Sequence, residues 1–158
     1  DKLREMDGFS MITDIGNGTI NIMKVNDRKV INESCRTERL GVGRYVTDIQ
    51  NAVMNKFQNS IDESNVTNYL IGKSVTITKE YEEVMLHCID EYIREVISVF
   101  RKYDYNPDLM KLYVVGGGAV VMKRFSQLTD NVTYITDVCA NAKGYEYMTK
   151  NFLRKNGV

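Results

Sequence analysis

Apolar and polar positions alternate through the first part of the chain and then change period. Phe9 to Ile15 reads as a buried strand, and Thr19 to Val25 as a second with Ile20, Ile22 and Val25 facing inward. The polar turn Asn26-Asp27-Arg28-Lys29 then leads into a third strand from Val30 to about Arg36, completing an antiparallel meander. Beyond Gly41-Val42-Gly43, a turn into the following element, Val46, Ile49, Val53 and Phe57 recur at helical spacing with Ala52 alongside. The polar stretch Gln58 to Ser64 follows. Val66 to Ile71 reads as a small helix closed by Gly72, and Lys73 to Thr78 as a connector or short strand.

Thr78 is placed to cap a long helix, with Glu80 and Glu82 in the first turn, where negative charge is favoured. A broad stripe from Tyr81 through Val84, Met85, Ile89, Ile93 and Val96 to Phe100 runs along it, and Asn106-Pro107 stops it. Leu112 to Val115 is a short, fully apolar strand of the sort found inside a parallel sheet. A helix over Ala119 to Leu128, a strand over Val132 to Ile135 and a closing helix over Ala140 to Leu153 complete the pattern. The closing helix is expected to turn Tyr145, Met148, Phe152 and Leu153 inward. Three meandering strands, then alternating helices and parallel strands, predict an RNase H-like α/β domain, a mixed sheet with helices on both faces.

At 158 residues the chain is expected to fold as one domain. Its 21 Lys and Arg balance 21 Asp and Glu, so no net positive field recruits nucleic acid or an acidic membrane surface. Cys35, Cys88 and Cys139 are odd in number and widely spaced, which argues against a disulfide framework and against a zinc site, and fits a reducing cytoplasm. No stretch approaches the ~20 apolar residues of a membrane span. The start, Asp1-Lys2-Leu3-Arg4-Glu5, is unlike a signal peptide, and without an initiator Met the chain reads as a fragment.

The candidate chemistry lies in two glycine turns, Asp14-Ile15-Gly16-Asn17-Gly18-Thr19 and Val114-Val115-Gly116-Gly117-Gly118-Ala119, each directly after an apolar run. Glycine at a strand end lets a phosphate approach backbone amides. Two such turns on one sheet would grip two parts of one nucleotide. Asp14 is the sole carboxylate at the end of the first strand, and beside phosphates it would be repelled unless a divalent cation or its bound water lay between, which suggests Mg²⁺. Taken alone, the first turn reads first as a tight hairpin with Asn-Gly at its centre, which is compatible with binding phosphate, and the second as a packing turn between strand and helix. His87, between Glu83 and Glu91, reads as an exposed residue, and Ser10, Ser34 and Ser74 lack a nucleophile's setting.

In order, these motifs resemble the second half of the actin-like ATPase superfamily, which includes actin, the Hsp70 chaperones and the sugar kinases. Asp14 to Thr19 is similar to its phosphate-2 motif and Val114 to Ala119 to its adenosine motif. Cys139-Ala140-Asn141-Ala142-Lys143-Gly144-Tyr145 resembles its connect-2 segment. The ParM/StbA-type bacterial actin homologues of plasmid segregation and their archaeal relatives share the most with it. The resemblance implies that the chain is the C-terminal lobe, domain II, of such an ATPase, with a small insertion subdomain at about 58–78.

It also implies ATP or ADP as ligand. Asp14 would hold the water network of Mg²⁺ and help orient the attacking water, while Gly16, Asn17, Gly18 and Thr19 would touch the β- and γ-phosphates. Gly116, Gly117 and Gly118 would lie along the α-phosphate and ribose. Val121 and Met122 would stand against adenine, with Lys73 across the pocket. The implied partners are the first lobe, other protomers in a filament and a DNA-binding adaptor, with no direct nucleic acid contact. The superfamily's Asp-x-Gly first phosphate loop has no match here, so this chain is expected to be one jaw of a two-jaw clamp, inactive alone. Two other readings are a lobe of a non-polymerising relative, a small-molecule kinase or chaperone-like clamp, and a metal-dependent nuclease using Asp14 and Asp137.

Overall fold

The computed structural model describes residues 8–128, 130–137 and 139–155; Asp1 to Glu5 lie outside them. Five strands, β1 (Phe9–Ile15), β2 (Ile20–Asn26), β3 (Lys29–Glu38), β4 (Lys111–Val115) and β5 (Val132–Ile135), form one sheet in the order β3-β2-β1-β4-β5. β1 pairs antiparallel with β2, as does β2 with β3, whereas β1 with β4 and β4 with β5 run parallel. This is the mixed sheet that the sequence pattern predicts. The parallel register puts Asp14 opposite Val115, so both glycine turns leave the same end of adjacent strands.

Alternation along β1 divides the two faces. Met11, Thr13 and Ile15 are buried, whereas Ile12 and Asp14 on the other face are only half-buried. The buried face carries α1 (Val42–Phe57), α2 (Glu63–Leu70), α3 (Lys79–Lys102) and α4 (Gly118–Phe125), whose apolar residues join those of the sheet in one core. α1 and α3 lock through stacked rings, Tyr45 on Tyr92 and Phe57 on Tyr81, each pair with centroids 4.5 Å apart. Thr78 caps α3 as expected, its hydroxyl accepting the Tyr81 amide at 3.4 Å, with Arg101 and Lys102 in the last turn. α2 contributes Val66, Tyr69 and Leu70 to the same core, and Lys73 to Thr78 is a connector without strand structure.

At the sheet's outer border, β3 is mostly exposed, and its register with β2 shifts between Ile22 and Lys24. The Ser34 hydroxyl closes that irregularity, accepting the Lys24 amide at 2.7 Å and donating to the Ile31 carbonyl at 2.6 Å. The Arg36 guanidinium folds back onto the carbonyls of Glu33 and Cys35.

The closing helix departs from expectation. α5 (Ala140–Lys155) does form, but Tyr145, Met148, Phe152 and Leu153 are exposed, Tyr145 at 72% and Met148 at 67%. Helical spacing reveals that an apolar stripe exists; it does not reveal whether the chain itself supplies the surface that covers it.

Thr13, on the buried face of the central strand, is 0% exposed, and its hydroxyl has no hydrogen-bond partner among the described residues. A buried, unpaired hydroxyl costs about 1–3 kcal/mol. Thr13→Val, similar in shape, is therefore expected to stabilise the fold by about 1 kcal/mol, read as a higher urea midpoint at unchanged slope.

Candidate functional site

The first glycine turn is a compact hairpin in which the Gly16 amide donates to the Thr19 carbonyl at 2.9 Å. The hairpin reading of this turn is thus correct, and its outer side is also held. The Val42 amide donates to the Gly16 carbonyl at 3.0 Å and the Gly43 amide to the Asn17 carbonyl at 2.8 Å, so the start of α1 clasps the turn. A Cβ on Gly41 would overlap the Asn17 carbonyl, and one on Gly43 would come within 2.7 Å of Asn17 Oδ1. Gly41-Val42-Gly43 leads into α1 as expected, but its glycines are there for this contact.

The second turn depends on Gly116, whose φ of +84° lies in the left-handed region. A Cβ there would overlap Asp14 Oδ1 and stand 2.7 Å from the Ile15 carbonyl; one on Gly118 would overlap the Ile15 side chain. The two turns are therefore in van der Waals contact through glycine. Gly117 differs: a Cβ on it would meet nothing within 4 Å. α4 starts here with no acidic residue in its first turn, and a helix start presents amides that its own carbonyls do not satisfy.

Two hollows lie at this end of the sheet, with no lining residue in common. On the helical side, Gly16, Asn17, Val42, Thr67, Leu70, Ile71, Gly117 and Val121 line a largely apolar cavity of about 200 Å³. On the other face, Ile12, Asp14, Asn21, Met23 and Val115 form the floor of a crevice of about 390 Å³ beneath Asn141, Gly144, Tyr145 and Met148. Asp14 opens into this second hollow, where the Asn141 amide donates to its Oδ2 at 2.9 Å. Gly116 lies in sequence between Val115, which lines the second, and Gly117, which lines the first.

Asp14, Gly16, Asn17, Gly18, Thr19, Gly116, Gly117 and Gly118 are thus brought to one sheet end, and Val121 lines the apolar cavity. Met122 does not line it; both side chains are buried in the core, but only that of Val121 reaches the wall. Lys73 is exposed and absent from the cavity wall, where α2 instead contributes Thr67, Leu70 and Ile71. Those three, with Val42 and Asn141, are site residues that the sequence pattern left unassigned. Asp137 is occupied elsewhere: Lys143 and the Cys139 amide, in that order, hold its carboxyl below the usual carboxylate range. Among the described residues no three His, Cys, Asp or Glu side chains converge as a metal cluster, and a two-metal nuclease centre would need such a set. His87 is exposed, its ring 3.6 Å from Glu91, and the three cysteines are unbonded.

A mixed sheet in this order, with helices and with glycine turns at one end of adjacent parallel strands, is the fold of the actin-like ATPases. The chain belongs to the family described as archaeal actin homologue MreB-like, C-terminal, which matches residues 12–127. Among solved structures it is similar to Ta0583, an archaeal actin homologue, at 18% identity and a TM-score of 0.73, covering 94% of this chain and 50% of that one. The complex of Ta0583 with ADP gives 16% identity, 0.71, 92% and 51%. ParM of Bacillus thuringiensis with ATP gives 16%, 0.66, 95% and 48%. The chain spans about half the length of these proteins. No curated protein matches it.

Near the cavity, the Tyr69 hydroxyl is pushed up to about 12, first by burial and then by the Glu82 carboxylate to which it donates at 2.9 Å. A raised folded value means that the neutral phenol favours the native state. Its stabilisation is whole below the ordinary tyrosine range near ~10 and is lost as pH rises toward about 12. Tyr69→Phe is expected to flatten the alkaline limb of a melting-temperature profile between these values. Gly116→Ala should cost about 2–4 kcal/mol through its left-handed backbone and overlap, whereas Gly117→Ala should unfold at the wild-type denaturant concentration.

Proposed function

We propose that the chain is the second lobe of an actin-like ATPase that binds ATP and ADP with Mg²⁺, with residues 58–78 as a short minor subdomain. The observation that carries this reading is the contact between the two turns: Gly116, lacking a Cβ, lies against the Asp14 carboxylate at the end of parallel strands. One extended ligand could touch both. The structural relatives, solved with ATP in one case and with ADP in another, agree with it.

The residues suit these groups. The open space at Gly117 and Gly18 leaves backbone accessible to phosphate and ribose oxygens. Gly16, Asn17, Gly18 and Thr19 would take the β- and γ-phosphates, Gly116 to Gly118 the α-phosphate and ribose, and Val121 one face of adenine. A lone carboxylate fits Mg²⁺, which keeps several waters and takes few protein ligands when phosphates supply the rest. Asp14 would hold that water shell, with Asn141 fixing its orientation through Oδ2. Bound there, the cation would neutralise phosphate charge. Asp14 itself would accept a hydrogen bond from the attacking water and so aim it.

Phosphoryl transfer needs charge stabilisation on both sides of the phosphates. This lobe supplies one side, and we propose that hydrolysis requires a first lobe closing over the Asp14 crevice. The parent protein would then form filaments whose nucleotide state governs assembly, and through a DNA-bound adaptor would segregate plasmids or other DNA. Among the described residues no helix is long and apolar enough to cross a membrane.

In a protein carrying both lobes, Asp14→Ala is expected to abolish phosphate release while nucleotide affinity falls by no more than about tenfold, because ribose and base contacts lie elsewhere. Equal loss of binding and turnover would refute the assigned role. Light scattering with ATP and Mg²⁺ tests filament formation.

A further inference from the structure

Arg124, on the last turn of α4, reaches across to α2. Its Nη1 donates to the Tyr69 carbonyl at 2.6 Å, a carbonyl that also accepts the Gly72 amide at 3.1 Å. The guanidinium lies 5.3 Å from the Tyr69 ring centroid and 5.0 Å from that of Phe125, and the two rings are themselves 6.2 Å apart. Gly72, at a φ of +83°, lets the chain turn away here, and a Cβ on it would come within 2.9 Å of Arg124 Nη1. A charge-assisted hydrogen bond and two ring faces thus fasten the C-terminal end of α2 to α4.

This bond holds the chain immediately before Leu70 and Ile71, which with Thr67 form the α2 wall of the apolar cavity; Gly117 and Val121, nearer the start of α4, face them. The wall is short and ends in a connector without strand structure, and Arg124 joins it directly to the helix that forms the opposite wall. We infer that Arg124 is a positioning residue that sets the width of this cavity for a flat heterocyclic base, acting through the Tyr69 carbonyl without touching the ligand. The inference rests on the proposed nucleotide site and adds a residue to it. Lysine could keep the hydrogen bond as a point charge, but it lacks the planar group that lies over both rings.

The test titrates the 158-residue chain with adenosine, MgATP and magnesium tripolyphosphate, following backbone amide NMR shifts, in wild type, Arg124→Gln and Arg124→Lys, with melting temperatures measured alongside. In wild type, adenosine and ATP are expected to shift Leu70, Ile71 and Val121. Arg124→Gln should weaken both by about tenfold through lost preorganisation, leave tripolyphosphate binding within about twofold, and be partly rescued by lysine. If Arg124→Gln binds adenosine as wild type does, the positioning role is wrong and the nucleotide reading stands. Equal loss of adenosine and tripolyphosphate, or a fall in melting temperature that accounts for both, would make Arg124 a general structural residue and overturn the inference. Wild-type protein binding neither adenosine nor ATP would overturn the nucleotide reading and this inference with it.

Discussion

The parallel pairing of β1 with β4, closed at its end by Gly116 against Asp14, is the contact on which the rest depends. Register alone sets Asp14 beside Val115, but two turns leaving adjacent strands would ordinarily splay, since side chains at both would compete for the same space. The missing Cβ at Gly116 and at Gly118 removes that competition and lets α4 start directly over Ile15. A carboxylate, two backbone turns and a helix start therefore share one rim. Because the strands lie in the middle of the sheet, flanked by β2 and β5, the arrangement is held from both sides.

The rim is supported by elements that give up freedom of their own. The first amides of α1 are bound to carbonyls of the hairpin turn, so that helix is not itself an anion site; its role is to brace the loop. On the opposite face, Asn141 of α5 reaches the Asp14 carboxylate although the helix has little packing against the sheet. One side of the site is consequently rigid, built into the core. The other is an open surface on which Tyr145, Met148 and Phe152 of α5 stand exposed.

Much of the scaffold could be read from residue order, because period and burial are linked locally: the alternation of β1 and the long stripe of α3 each name their own faces. The glycine turns were legible for the same reason. What escaped depends on contacts between residues far apart in sequence. Val121 and Met122 are neighbours on α4 and both belong to the core, yet only Val121 also reaches the cavity wall. Lys73 falls two residues beyond Ile71, the last α2-side residue to reach the wall, and a left-handed turn at Gly72 separates them. The clasp by Gly41 and Gly43 could not be seen without knowing that Asn17 lies beside them. Similarly, the stripe on α5 was visible, but its exposure was not.

The folded-back guanidinium of Arg36 has a consequence for how copies of this lobe can meet. A bare border strand offers a row of carbonyls on which a stranger's backbone can zip, a common path by which sheet proteins run together into insoluble ladders. Here two carbonyls, those of Glu33 and Cys35, are already taken by the strand's own side chain, and the pairing with β2 is irregular around Ser34. Growth by continuing the sheet from molecule to molecule is disfavoured along this stretch of the margin. Along this stretch, contact with another copy falls to side chains, where recognition can be selective.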